Sequence, residues 1–168
     1  MKKIIFLLII SIIGISNIKA QDNDLLQFSD LKAHVDSLSS KLNTLQRDYE
    51  YLYCNSLIND CLFNIKDFTN EINIKSNQIL INCYHSQFDF KLYTSYKTLF
   101  DAYNKYFNSL KEKADVVKTT IFSKMLVCNF SESEVNVLSE GYNVIENSLN
   151  TTEKSLNHFN VVLDIYKY

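Results

Sequence analysis

Apolar residues recur along this chain at alternating spacings of three and four. In the first stretch, Phe28, Leu31, Val35, Leu38, Leu42, Leu45, Tyr49 and Leu52 follow one another without a miss. That period keeps a narrow stripe on one side of a helix, and it predicts a helix over about 24–53. Asp24, with Gln27 three residues on, has the form of a capping box at its start. Ile58, Ile65, Ile72 and Ile79 make a second row, with Cys61 and Phe68 beside it. This row is displaced by two positions in the seven-residue frame, whereas one stutter or stammer shifts the frame by four or three. A turn near 53–57, with Ser56 as N-cap, is the simpler account and predicts a second helix over 57–85. No Gly or Pro marks that turn, so one uninterrupted helix from 24 to 85 is the alternative.

A third helix is expected over 87–128, capped by Ser86 with Asp89 in its first turn. Three rows run side by side along it: Tyr96, Tyr103, Leu110 and Val117; Leu99 and Tyr106; and Tyr93, Phe100, Phe107, Ala114, Ile121 and Cys128. A face this wide meets more than one neighbour, which sets this helix at the centre. The last helix, over 132–166, opens on the clearest local signature in the chain. Ser131 caps, Glu134 closes a capping box, and Phe130 is placed to staple onto Val135. Its stripe runs from Val135 through Leu138, Tyr142, Ile145, Leu149, Leu156, Phe159 and Leu163 to Tyr166, with Thr152 the only polar member. The fold expected is all-α: an antiparallel bundle of three to four long heptad-patterned helices, about 24–53, 57–85, 87–128 and 132–166.

Residues 1–20 stand apart from this pattern. Met1-Lys2-Lys3 is a short basic opening, and Ile4–Ile15 is a 12-residue apolar run broken by Ser11 and Gly14. A membrane span needs about 20 apolar residues; this length and these flanks suit a secretory signal peptide. Cleavage after Ala20 leaves Ile18 at the −3 position, while cleavage after Ser16 places the smaller Gly14 there. Residues 21–168 then form a single helical-bundle domain with no stable membrane span, periplasmic or secreted, and long enough to bury a real core.

Charge narrows the choice of partner. The first 20 residues hold three of the 17 basic residues (Lys2, Lys3, Lys19) and none of the 19 acids, so 14 bases face 19 acids in the remainder, a formal charge of −5. An acidic chain with no basic stripe repels phosphate backbones, which disfavours nucleic acid. With no Pro in the chain, and Gly141 alone after Gly14, the turn chemistry of strand proteins is missing.

Chemistry is sparse. His34, His85 and His158 fall in no metal-binding helical motif, no G-x-S-x-G elbow is present, and no glycine loop can cradle a phosphate. No catalytic, cofactor-binding or metal-binding residues are therefore assigned. Four cysteines in an exported chain suggest disulfides. A turn between Cys54 and Cys61 would bring those two together, with Cys128 arriving at the same bundle end and Cys83 left at the other. The bond expected is drawn from Cys54, Cys61 and Cys128, against the equally weighted reading that all four are small core residues. Aromatic residues crowd 88–107. Phe100, Phe107, Tyr96 and Tyr103 sit at core spacing, whereas Phe88, Phe90 and Tyr93 cluster at a helix start as a candidate contact surface. Asn129-Phe130-Ser131 and Asn150-Thr151-Thr152 are N-glycosylation sequons, and Asp36-Ser37-Leu38 resembles a bacterial O-glycosylation acceptor at Ser37. The expected function is that of an exported, non-enzymatic protein with an interaction or structural role, and its partner is another protein. The alternative is a small-ligand-binding bundle with an aromatic pocket near the start of the 87–128 helix.

Overall fold

Helical hydrogen bonding runs unbroken through the region where a turn was expected. The computed structural model describes residues 22–85 and 89–165, with side chains from Phe28 onward. It holds three helices among the described residues: α1 (Asp22–Tyr84), α2 (Phe90–Val127) and α3 (Glu132–Ile165). The two helices expected over 24–53 and 57–85 are thus one, of 63 residues. Nothing at 53–57 breaks it. Ser56 is an exposed helical residue rather than a cap, and the Asn55 side chain donates to the Tyr51 carbonyl within the helix at 3.1 Å. The two-position frame shift has another meaning. Two residues of an α-helix turn through about 200°, so where the rows meet, the row ending at Tyr49 and Leu52 and the row beginning at Ile58 lie on nearly opposite faces of the helix.

The chain divides into two compact units, residues 1–45 and 46–168. The second contains the bundle. Glu50 pairs with Lys124, Glu71 with Tyr103 and Asn82 with Tyr96, so α1 and α2 run antiparallel. Arg47 pairs with Glu134 and Thr69 with Thr152, so α1 and α3 run parallel. Lys111 reaches Glu153 and Lys118 reaches Glu146, which sets α2 and α3 antiparallel. The result is an up-down-up three-helix bundle.

Its core is contributed by all three helices. From α1 come Cys54, Ile58, Cys61, Ile65, Phe68, Ile72 and Ile79; from α2 Tyr103, Phe107, Leu110, Ala114, Val117 and Ile121; from α3 Leu138, Ile145, Leu156, Phe159 and Leu163. Phe159 is fully buried. Its ring stacks on Phe100 at 5.8 Å and meets Tyr96 and Tyr103 edge-on, so the aromatic run of α2 fills the core at one end. Among the described residues two polar side chains are fully enclosed, and both are satisfied. Thr152 bonds to Thr69 at 2.7 Å and to the Ser148 carbonyl, and Ser76 donates to the Ile72 carbonyl. Gly141 lies where α3 meets α1: a Cβ there would stand 2.8 Å from Ile58 Cδ1.

The helix ends follow local chemistry. Asp89, not Ser86, caps α2; its Oδ1 accepts from the Leu92 N–H at 2.8 Å. Ser86 lies outside the described residues. The α2–α3 connection turns at Asn129, whose φ of 48° is left-handed and follows the C-cap Cys128. The capping box is complete: the Glu134 N–H donates to Ser131 Oγ, and Glu134 Oε2 accepts from the Ser131 N–H at 2.7 Å. Phe130 lies against Tyr51 of α1, ring centroids 6.0 Å apart.

Candidate functional site

The apolar row that opens the chain does not join the core. In the first unit Phe28 is 63% exposed, Leu38 59% and Leu45 66%, with Leu31 and Leu42 also exposed and Val35 half-buried. In the second unit the same register continues through Tyr49 and Leu52, exposed at 66% and 67%, while Cys54 and Ile58 on the other face of α1 are buried. The stripe over 28–45 rises about 26 Å at 1.5 Å per residue. Its margins are polar: Lys32 and Ser39 follow the Leu31 and Leu38 positions, and His34 and Lys41 precede Val35 and Leu42. His34 Nδ1 lies 2.8 Å from the Asp30 carbonyl, and Thr44 donates to the Ser40 carbonyl, so these side chains are turned back on their own helix. The sequence signal for this surface was the frame shift itself, which reads as two faces once the helix is continuous.

Two of the three residues singled out at the start of α2 lie among the described residues. Phe90 is 80% exposed, Tyr93 is half-buried against the core, and Phe88 lies outside the described residues. Two inter-helical grooves lie elsewhere. One, of about 440 Å³, runs between α1 and α3 past Leu62, Thr69 and Ser148; the other, of about 510 Å³, runs between α1 and α2 past Cys61 and Lys113. Neither is lined by an aromatic side chain or reaches Phe90 or Tyr93.

The four thiols are free. Cys54 and Cys61 are separated by seven residues of continuous helix, about 10 Å, beyond the ~7 Å that a disulfide spans. With the expected turn absent, that pairing falls away. Cys128 does lie at the Cys54 end of the bundle, near enough for its charge to raise the Cys54 thiol further. Cys83 lies at the other end, beside the Asn82–Tyr96 contact. Burial is the chief cause that raises all four thiols above their ordinary value, Cys54 and Cys61 being the most enclosed.

Glu71 and Tyr103 form the shortest polar contact between helices. The phenol donates to Glu71 Oε1 at 2.6 Å, and burial, with this carboxylate beside it, holds the phenol well above its ordinary range. At the other end Lys124 pairs with Glu50 at 2.8 Å. The modification candidates Ser37, Asn129 and Asn150 are all exposed: Ser37 on α1, Asn129 in the α2–α3 turn and Asn150 on α3. Among the described residues no group of three or more His, Cys, Asp or Glu converges as a metal site, and no helix is long and apolar enough to cross a membrane. Residues 1–20, read as a signal peptide, lie outside the described residues.

No protein-family model, no curated protein and no solved structure matches this chain.

Proposed function

We propose that this chain is an exported, non-enzymatic protein with an interaction or structural role, which uses the three-helix bundle as a base and the α1 stripe as its contact surface. One observation carries the reading: an uninterrupted apolar stripe, spaced for packing against another helix, is left facing solvent. A helical segment gains most of its stability from burying such a face, so the stripe is suited to a protein partner. Export rests on the basic opening and short apolar run of residues 1–20. The non-enzymatic reading rests on the lack of any catalytic motif in the sequence.

The test combines the two. Intact mass of protein recovered outside the cytoplasm is expected to show loss of the first 16 or 20 residues. A Leu38→Asp/Leu42→Asp chain is expected to fold like the parent and to lose the parent's binding partner. Full-length protein held in the membrane fraction would sink the export reading; unaltered binding by the double variant would sink the interaction reading.

A further inference from the structure

We infer that the partner seated on the α1 stripe is a second copy of this chain, paired through Phe28, Leu31, Val35, Leu38, Leu42 and Leu45 as a two-stranded coiled coil. The inference rests on the interaction reading above and names its partner. A solvent-facing stripe with Leu at every second contact position, and Phe28, Val35 and Leu42 at the intervening ones, has the spacing of a coiled coil, with Val35 as the β-branched member that favours two strands. Area supports it. Side chains of this size each remove roughly 60–120 Å² from water when covered. Six of them, five exposed and Val35 half-buried, amount to roughly 700–1,400 Å² over two copies, a range that reaches the lower end of specific interfaces. Charge does not oppose a parallel pair: the two flanking lysines, Lys32 and Lys41, fall opposite the neutral Gln27 and Gln46 of the other strand, so no like charges meet. An interface of this size predicts a reversible, concentration-dependent dimer rather than an obligate one.

Sedimentation equilibrium of the protein purified from its own cells tests this across a wide concentration range. The expected result is a monomer–dimer equilibrium that the Leu38→Asp/Leu42→Asp chain abolishes. Val161→Asp, at an exposed position on α3, should leave it intact. Leu45→Lys serves as a second stripe variant, and thermal melting establishes that each variant is folded. A monomer at every concentration, or a dimer indifferent to both stripe variants, overturns the inference. The interaction reading is judged separately, by retention of other envelope proteins on immobilised parent and variant. Stripe-dependent retention alongside a monomeric parent overturns the second copy and keeps the interaction reading; no stripe-dependent binding of any kind overturns both.

Discussion

At the scale of single residues, tight packing and enclosed hydroxyls decide most of what can be tested. Gly141 sits where an added Cβ would meet the Ile58 side chain at 2.8 and 3.1 Å. A larger residue gains helix propensity and loses more to overpacking, so Gly141→Val is expected to destabilise the protein by about 1–3 kcal/mol in urea unfolding. Alkaline pH is the second lever. Burial raises the Cys54 and Cys61 thiols and, with Glu71 beside it, the Tyr103 phenol above their ordinary values of 9.0 and 10.0. Each is neutral when protonated, so the folded state holds protons that the unfolded state releases. That stability is complete below the unfolded values and is lost as pH rises through the folded ones. The melting temperature is therefore expected to fall from about pH 9 upward and more steeply past pH 10, and a flat profile there would contradict the burial of these groups. Tyr103→Phe should soften the steeper part. At this scale the sequence was partly legible. Ser131 and Glu134 announced their capping box, because that motif needs only its own four residues. Asp89 and Gly141 could not be placed, because one depends on where a turn ends and the other on which residue of α1 lies opposite.

The elements show why the same apolar spacing can mean two different things. Spacing shows that a face is apolar, but not that a partner within the chain covers it. On α1 the rows through Leu52 and through Ile65 look alike in sequence, yet within the second unit they lie on nearly opposite faces and only the second meets α2 and α3. The clue was the two-position frame shift, which is equally compatible with a turn until the helix is seen to continue. Substitutions separate the two rows. Ile65→Asp, at a fully buried site, places an unpaired charge in the core and is expected to unfold the bundle or come close to it. Leu45→Asp, at an exposed site, is expected to leave the melting temperature within about a degree or two, a surface substitution costing about 0.5 kcal/mol or less. At the start of α3, Ser131→Ala removes the cap and is expected to cost about 1 kcal/mol.

For the molecule as a whole, the all-helical class and the bundle were legible from the spacing of apolar residues and the scarcity of Gly and Pro. The number of helices was not, since the count turned on one boundary without a marker. Thiol chemistry reports on the final arrangement. Cys83 lies roughly 45 Å along α1 from Cys54 at 1.5 Å per residue, so peptide mapping of oxidised monomer is expected to find no bond between them. In native protein, the half-buried Cys83 and Cys128 should be alkylated ahead of the enclosed Cys54 and Cys61, and equal rates at all four would contradict the packing.

The short turn at Asn129 has a consequence in time. It joins α2 to α3 through four residues, 128–131, with a left-handed residue and a capping box already suited to reversal. Contacts between sequential helices therefore close small loops, as Asn82–Tyr96 does between α1 and α2 across 14 residues, whereas the Thr69–Thr152 contact between α1 and α3 must bring together residues 83 apart in the chain. Loop closure favours the nearer set. The sequential helix pairs are expected to assemble first, with the α1–α3 face closing in the later, slower step. Core truncations near the turn, such as Leu138→Ala, should then slow refolding, while Thr69→Val, which removes the α1–α3 hydroxyl contact, should chiefly hasten unfolding. Stopped-flow measurement of both variants distinguishes this order from its reverse.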